Sequence, residues 1–109
     1  MVVNMTYQEL AQEIISLGFD ITYGSYTDPP DYPYTIIIAQ NDNDLKADNR
    51  NYGKVRGYQL EYYNDKRETS DEELIENKLD ELKISYEKVG PIPIEDGEML
   101  ETIYEFDLI

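Results

Sequence analysis

The sequence contains neither cysteine nor histidine. Without cysteine there is no disulfide framework, no thiolate metal site and no thiol nucleophile. Without histidine the commonest general base, the commonest zinc ligand and every catalytic triad that needs imidazole are excluded. Positive charge is also scarce: nine bases stand against 24 acids, for a net charge of -15. That balance opposes binding to the nucleic-acid backbone and to anionic membranes by Coulomb repulsion. The opening stretch MVVNMTYQEL lacks a basic start followed by a long apolar run, and no apolar stretch approaches the roughly 20 residues that span a bilayer. The expectation is a soluble chain that is not exported.

What is present suffices for a folded domain. The chain has 109 residues, 40% of them hydrophobic, with eleven tyrosines, which matches one domain over residues 1–109 with a modest core. Charge is unevenly spread. Residues 1–69 hold 11 acids and 6 bases, net -5, whereas residues 70–109 hold 13 acids and 3 bases, net -10. All six bases of the first part lie between Lys46 and Arg67. A basic middle and an acidic end can attract each other, within one subunit or between neighbours.

Local signals order the elements. Thr6 and Glu9 form a capping box, with Met5 and Leu10 at the staple positions, so a helix is expected from Tyr7. Tyr7, Leu10, Ala11, Ile14 and Leu17 follow helical spacing, and Gly18 suits the left-handed stop. DITYGSY (20–26) reads as a short strand, TDPPDYP as a surface turn, and YTIIIAQ (34–40) as a strand covered on more than one side. VRGYQLEYYN (55–64) alternates, Tyr58, Leu60 and Tyr62 facing one way and Gln59, Glu61 and Tyr63 the other; a hairpin with 34–40 is expected. A second capping box, Ser70 with Glu73, opens a helix expected over 71–83, with Leu74, Ile75, Leu79 and Leu82 as its buried stripe. ISYEKV (84–89) reads as a strand, GPIPIEDG as a turn, and EMLETIYEFDLI (98–109) as a last strand. In that strand Leu100, Tyr104, Phe106 and Leu108 share one face, and Glu101, Glu105 and Asp107 the other. The order α-β-β-β-α-β-β predicts a two-layer α+β domain, a mainly antiparallel sheet with both helices on one face.

Chemical motifs are few. NDNDLKADNRNYGK (41–54) is rich in oxygen ligands, but a calcium loop begun at Asp42 has Lys46 at its fifth position, Ala47 at its sixth and Gly53 at its twelfth, so the spacing fails. Gly53 and Gly57 flank a strand start with no helix behind it, which excludes a phosphate loop. Carboxylates are too numerous for any pair to indicate catalysis; Glu61, Glu101 and Glu105 alternate with apolar residues as solvated strand faces do. No metal, cofactor or enzymatic activity is expected, and the tyrosines suit core and protein-contact packing better than base stacking, which calls for a positive groove.

Several residues carry a resemblance in their order and spacing. Pro29, Pro30 and Tyr34 precede the isoleucine strand, and Ala47, Asp48, Asn49 and Tyr52 lie in the loop. Leu60, Glu61, Tyr62 and Tyr63 come before a polar turn and an acidic helix, then follow Tyr86, Glu101, Tyr104, Glu105 and Phe106. This pattern resembles the small tail-completion proteins of long-tailed bacteriophages and Gram-positive prophages, which are similar to the lambda-type tail terminators. The resemblance covers residue 29 to the end; residues 1–28 match nothing specific beyond the helix.

It implies a non-enzymatic virion assembly protein of the tail or neck, made in the host cytoplasm. Such a subunit forms a ring, a hexamer, on the tail tube, stops its growth and offers a joining surface to the head connector. The implied partners are further copies, the tail-tube protein and the connector or stopper, without membrane or sequence-specific nucleic acid. Lys46, Asp48, Arg50, Tyr52, Lys54 and Arg56 are the candidate assembly contacts. Another head-tail connector component, or an acidic DNA mimic that inhibits a nucleic-acid-binding protein, remains an alternative.

Overall fold

The computed structural model describes residues 3–40, 56–65, 70–94, 97 and 99–109. Its elements are α1 (Tyr7–Ser16), β1 (Asp20–Tyr23), β2 (Tyr34–Ala39), β3 (Arg56–Asn64), α2 (Asp71–Glu81), β4 (Tyr86–Ile94) and β5 (Met99–Leu108). They form an α+β fold whose five-stranded sheet has the order β1-β2-β3-β5-β4. Every neighbouring pair is antiparallel except β1 with β2, which is parallel.

α1 starts where its cap chemistry places it. Glu9 N–H donates to Thr6 Oγ1 at 3.1 Å and Thr6 N–H to Glu9 Oε1 at 2.8 Å. Leu10 and Ile14 are buried, and Gly18 ends the helix at φ +99°. Val3 bridges Leu108, and Met5 N–H donates to the Ile109 carbonyl, so the start of α1 is tied to the end of β5.

The core lies between the helices and one face of the sheet. Leu10 and Ile14 of α1 and Ile75 and Leu79 of α2 join Ile37, Tyr58, Leu60, Tyr62, Tyr104, Phe106 and Leu108 in one cluster. The alternation in β3 and β5 therefore falls as the sequence implies.

α2 departs from expectation in three ways. Ser70 makes no side-chain cap hydrogen bond, so the second capping box does not form. The helix is instead anchored from the sheet: Tyr62 Oη donates to Asp71 Oδ2 at 2.7 Å, and Asn64 Nδ2 donates to Tyr62 Oη at 2.8 Å. Leu74 is 43% exposed rather than buried. The helix ends at Glu81, two residues before Lys83, which takes φ 63°.

The expected turn GPIPIEDG is largely strand, since β4 continues to Ile94. β4 is an edge strand, whose outer side needs no ladder partners, so proline is tolerated there. A register shift between Val89 and Ile92 takes up Gly90 and Pro91. Gly90 has φ +102°, and a Cβ there would lie 2.7 Å from the Glu101 carbonyl oxygen. β1 is shorter than expected, ending at Tyr23 before Gly24 at φ +89°.

Candidate functional site

Both helices cover the same side of the sheet, and among the described residues no helix lies on its other side. Side chains there follow from the register. One row across the strands reads Tyr34, Tyr63, Glu101 and Ile92; the next reads Ile36, Glu61, Ile103 and Val89; a third reads Ile38, Gln59, Glu105 and Glu87. Asp107, opposite Gly57, stands beyond them. This face therefore mixes branched aliphatic residues with five carboxylates on β3, β4 and β5, and among the described residues no lysine or arginine stands on it. Val89 and Ile92 are 40% and 37% exposed.

At one end, the turn after β1 brings tyrosines over the sheet. Tyr32 stacks on Tyr34 with ring centroids 5.5 Å apart, Tyr34 stacks on Tyr63 at 5.1 Å, and Tyr26 meets Tyr34 edge-on at 5.3 Å. Tyr32 Oη also donates to Met99 Sδ. The segment TDPPDYP thus lays Tyr32 against Tyr34 of the strand it precedes.

The stack leads to a pair of carboxyls. Tyr63 Oη lies 2.9 Å from both Glu61 Oε1 and Glu101 Oε2. A phenol has one hydrogen, so it donates to one carboxylate at a time; the second contact holds fully when that carboxyl is itself protonated and donates to the phenol oxygen. Burial raises the Glu61 pKa above the ordinary range; the Tyr63 hydrogen bond opposes this, and the Glu101 charge adds to it. Isoleucines on both flanking strands, Ile36 and Ile103, account for that desolvation. Burial likewise drives the Tyr63 phenol well above its usual range, aided by both glutamates.

Near the far end, Gln40, Ser85, Tyr86, Glu87, Glu105, Phe106 and Asp107 line an open cleft of about 510 Å³. Among the described residues no group of three acidic side chains is placed to hold a metal ion, and no helix is long and apolar enough to cross a membrane.

Of the candidate contacts, Lys46, Asp48, Arg50, Tyr52 and Lys54 lie outside the described residues. Arg56 is exposed at the start of β3. It lines a cleft with Met5, Thr6, Tyr7, Gln8, Tyr58, Leu108 and Ile109, on the helix side of the sheet. The acidic C-terminal part is partly neutralised from within: Lys88 pairs with Glu72 at 2.9 Å and Glu76 at 2.8 Å, and Lys78 with Glu13 at 3.3 Å and Glu81 at 3.0 Å. The Glu61–Tyr63–Glu101 cluster was not singled out by sequence reasoning. Its signal was present in the alternation of 59–63 and 101–105, but the pairing of β3 with β5 is what unites the two stretches.

Comparison with protein-family models, with curated proteins and with solved structures finds no match for this chain.

Proposed function

We propose that this chain is a non-enzymatic phage assembly protein that caps the tail tube as a ring and offers a joining surface to the head connector. One structural observation supports the reading most: an open sheet face where isoleucine, valine and tyrosine are interleaved with five carboxylates. Apolar side chains among charges suit a protein contact surface, where a packed apolar centre is bordered by polar groups. The resemblance of the residue pattern to tail-completion proteins supplies the biological setting. In that setting the excess negative charge lines the ring lumen and keeps DNA from adhering in passage, since like charges repel.

The test is removal of the gene from a phage that carries it, with electron microscopy of the tails. Loss of a terminator leaves overlong tubes, whereas loss of another neck component leaves tails of normal length without heads. Charge reversal at Lys54 and Arg56 is expected to impair capping more than folding; normal capping by the reversed protein overturns that assignment.

An acidic DNA mimic is the second reading, favoured by the same carboxylates. It predicts salt-sensitive capture of a basic nucleic-acid-binding protein and no effect on tails. The isoleucines within the carboxylate rows weigh against it, because a mimic of a phosphate backbone needs charge without an apolar centre.

A further inference from the structure

We infer that Glu61, Tyr63 and Glu101 form a proton-operated latch. With one proton held between the two carboxyls, the latch clamps β3 to β5 and seats residues 24–33 on the sheet. Loss of that proton releases one carboxyl and loosens the seat. The device is independent of the tail-capping reading.

The balance of donors and acceptors carries it. Glu61 Oε1 and Glu101 Oε2 each lie 2.9 Å from Tyr63 Oη, and a phenol has a single hydrogen. Burial keeps that phenol un-ionised, its pKa far above the usual range. A second hydrogen bond at this oxygen therefore needs a hydrogen on a carboxyl. Glu61 is placed to carry it, because its register partners are Ile36 on β2 and Ile103 on β5. Burial raises its pKa more than the Tyr63 hydrogen bond lowers it, and the Glu101 charge adds to the rise. The other groups on this face are accounted for among the described residues. β2 contributes Tyr34; on β5, Glu105 accepts from Gln59 Nε2 at 3.3 Å, and Asp107 stands opposite Gly57. On β4, Glu87 stands opposite Glu105, while Lys88 turns to the helix side, to Glu72 and Glu76. Asp28 and Asp31 of the segment 24–33 are exposed. A proton is thus the positive charge that lets the two carboxyls meet at one hydroxyl.

A closed circuit of contacts connects this latch to the segment 24–33. Tyr63 stacks on Tyr34 at 5.1 Å, Tyr34 stacks on Tyr32 at 5.5 Å, and Tyr26 meets Tyr34 edge-on at 5.3 Å. Tyr32 Oη donates to Met99 Sδ at 2.7 Å. Met99 and Glu101 are alternate residues of β5, so both stand on the same face of the strand, and Glu101 leads back to Tyr63. When the proton leaves, two carboxylates compete for one hydrogen. One stays bonded; the other is repelled by its neighbour's charge and by the phenol lone pairs, and turns to solvent. Tyr63 then has one tie in place of two, and the stack through Tyr34 to Tyr32 and Met99 shifts with it.

The chain has three methionines, so labelled methionine methyls give a simple NMR spectrum. The full-length protein is titrated from acid to neutral pH, following the Met99 methyl, assigned through Met99→Leu, together with the glutamate carboxyl carbons. The Glu61 carboxyl is expected to titrate with a midpoint above 4.5. The Met99 methyl, which has no ionisable group of its own, is expected to move with that same midpoint. In Glu61→Gln, whose amide donates to Tyr63 at every pH, the Met99 signal should stay near its acid position. In Tyr63→Phe the circuit is cut, and Met99 should no longer follow Glu61. Circular dichroism melts verify that each variant is folded. A Glu61 midpoint at or below 4.5, or a Met99 signal that stays still while Glu61 titrates, overturns the proposal in the wild-type protein alone. A Met99 movement unchanged in Glu61→Gln also overturns it. No tails are involved, so the latch and the tail-capping reading can fail independently.

Discussion

The Tyr104 hydroxyl donates to Glu76 Oε2 at 2.8 Å, and Lys88 Nζ reaches the same oxygen at 2.8 Å. A fully buried ring of the sheet thereby holds α2 by a charged hydrogen bond. Tyr104→Phe keeps the packing and loses the bond, and is expected to cost about 1.5–3 kcal/mol, the usual range for hydrogen bonds to charged groups. Urea denaturation checks this, with an unchanged slope and a lower midpoint.

The same network makes stability fall in acid. Burial raises the Glu76 pKa, but the Lys88 and Tyr104 contacts outweigh it and leave the carboxyl below its ordinary 4.5. Its stabilisation is complete above that ordinary value and is lost as pH falls through the lower folded value. Burial opposes the charge on Lys88, yet Glu76 and Glu72 raise its pKa overall, so its contribution is full at neutral pH and is lost only as pH rises through the raised value. Lys88→Met is therefore expected to be less stable than wild type at pH 7 and to have a shallower acid limb below pH 4.5. Parallel limbs in thermal melts would refute the assignment.

Glu61 has the opposite sign. Its raised pKa means that the folded state favours the protonated carboxyl, so wild-type stability declines as pH rises from 4.5 through the raised folded value. Glu61→Gln, which can still accept from Tyr63, escapes that decline. It should melt above wild type at pH 7, with the difference vanishing below pH 4.5. A gain of equal size at every pH would point to a cause other than titration.

Gly90→Ala should destabilise by about 2 kcal/mol or more, combining a left-handed backbone penalty with a steric clash. The added Cβ would meet the Glu101 carbonyl oxygen at 2.7 Å, and that atom belongs to a paired strand and cannot turn aside. Equilibrium unfolding of the variant measures this.

The two helix starts should respond differently. Thr6→Ala removes a formed capping box and is expected to cost about 1 kcal/mol. Ser70→Ala removes no cap hydrogen bond and should stay within about 0.5 kcal/mol of wild type. Equal losses in paired denaturation curves would contradict the observed caps.

Both boxes look alike in sequence, which marks where local information ends. At α1, Thr6 and Glu9 reciprocate as the sequence implies. At α2 the Tyr62 hydroxyl reaches across from the sheet to Asp71, and the helix start is held from outside. The prolines after Val89 suggested a turn because proline disfavours internal strands, but β4 lies at an edge. Edge position is a property of the assembled sheet, and proline in the sequence does not by itself distinguish an edge strand from a turn. The parallel pairing of β1 with β2 is equally tertiary: the chain leaves β1 at Tyr23 and returns to the Asp20 end before β2 begins at Tyr34.

Periodicity alone determined which residues of α1, β3 and β5 enter the core, because burial of apolar side chains follows from the repeat of each element. It also determined that Glu61, Glu101 and Glu105 stand opposite that core. Whether those carboxylates form a site depended on strand order. Placing β5 beside β3 brought Glu101 to the hydroxyl of Tyr63 and set Ile36 and Ile103 on either side of Glu61. Pairing across dozens of residues is decided by the global packing of the sheet, and with it which acids meet at one hydroxyl.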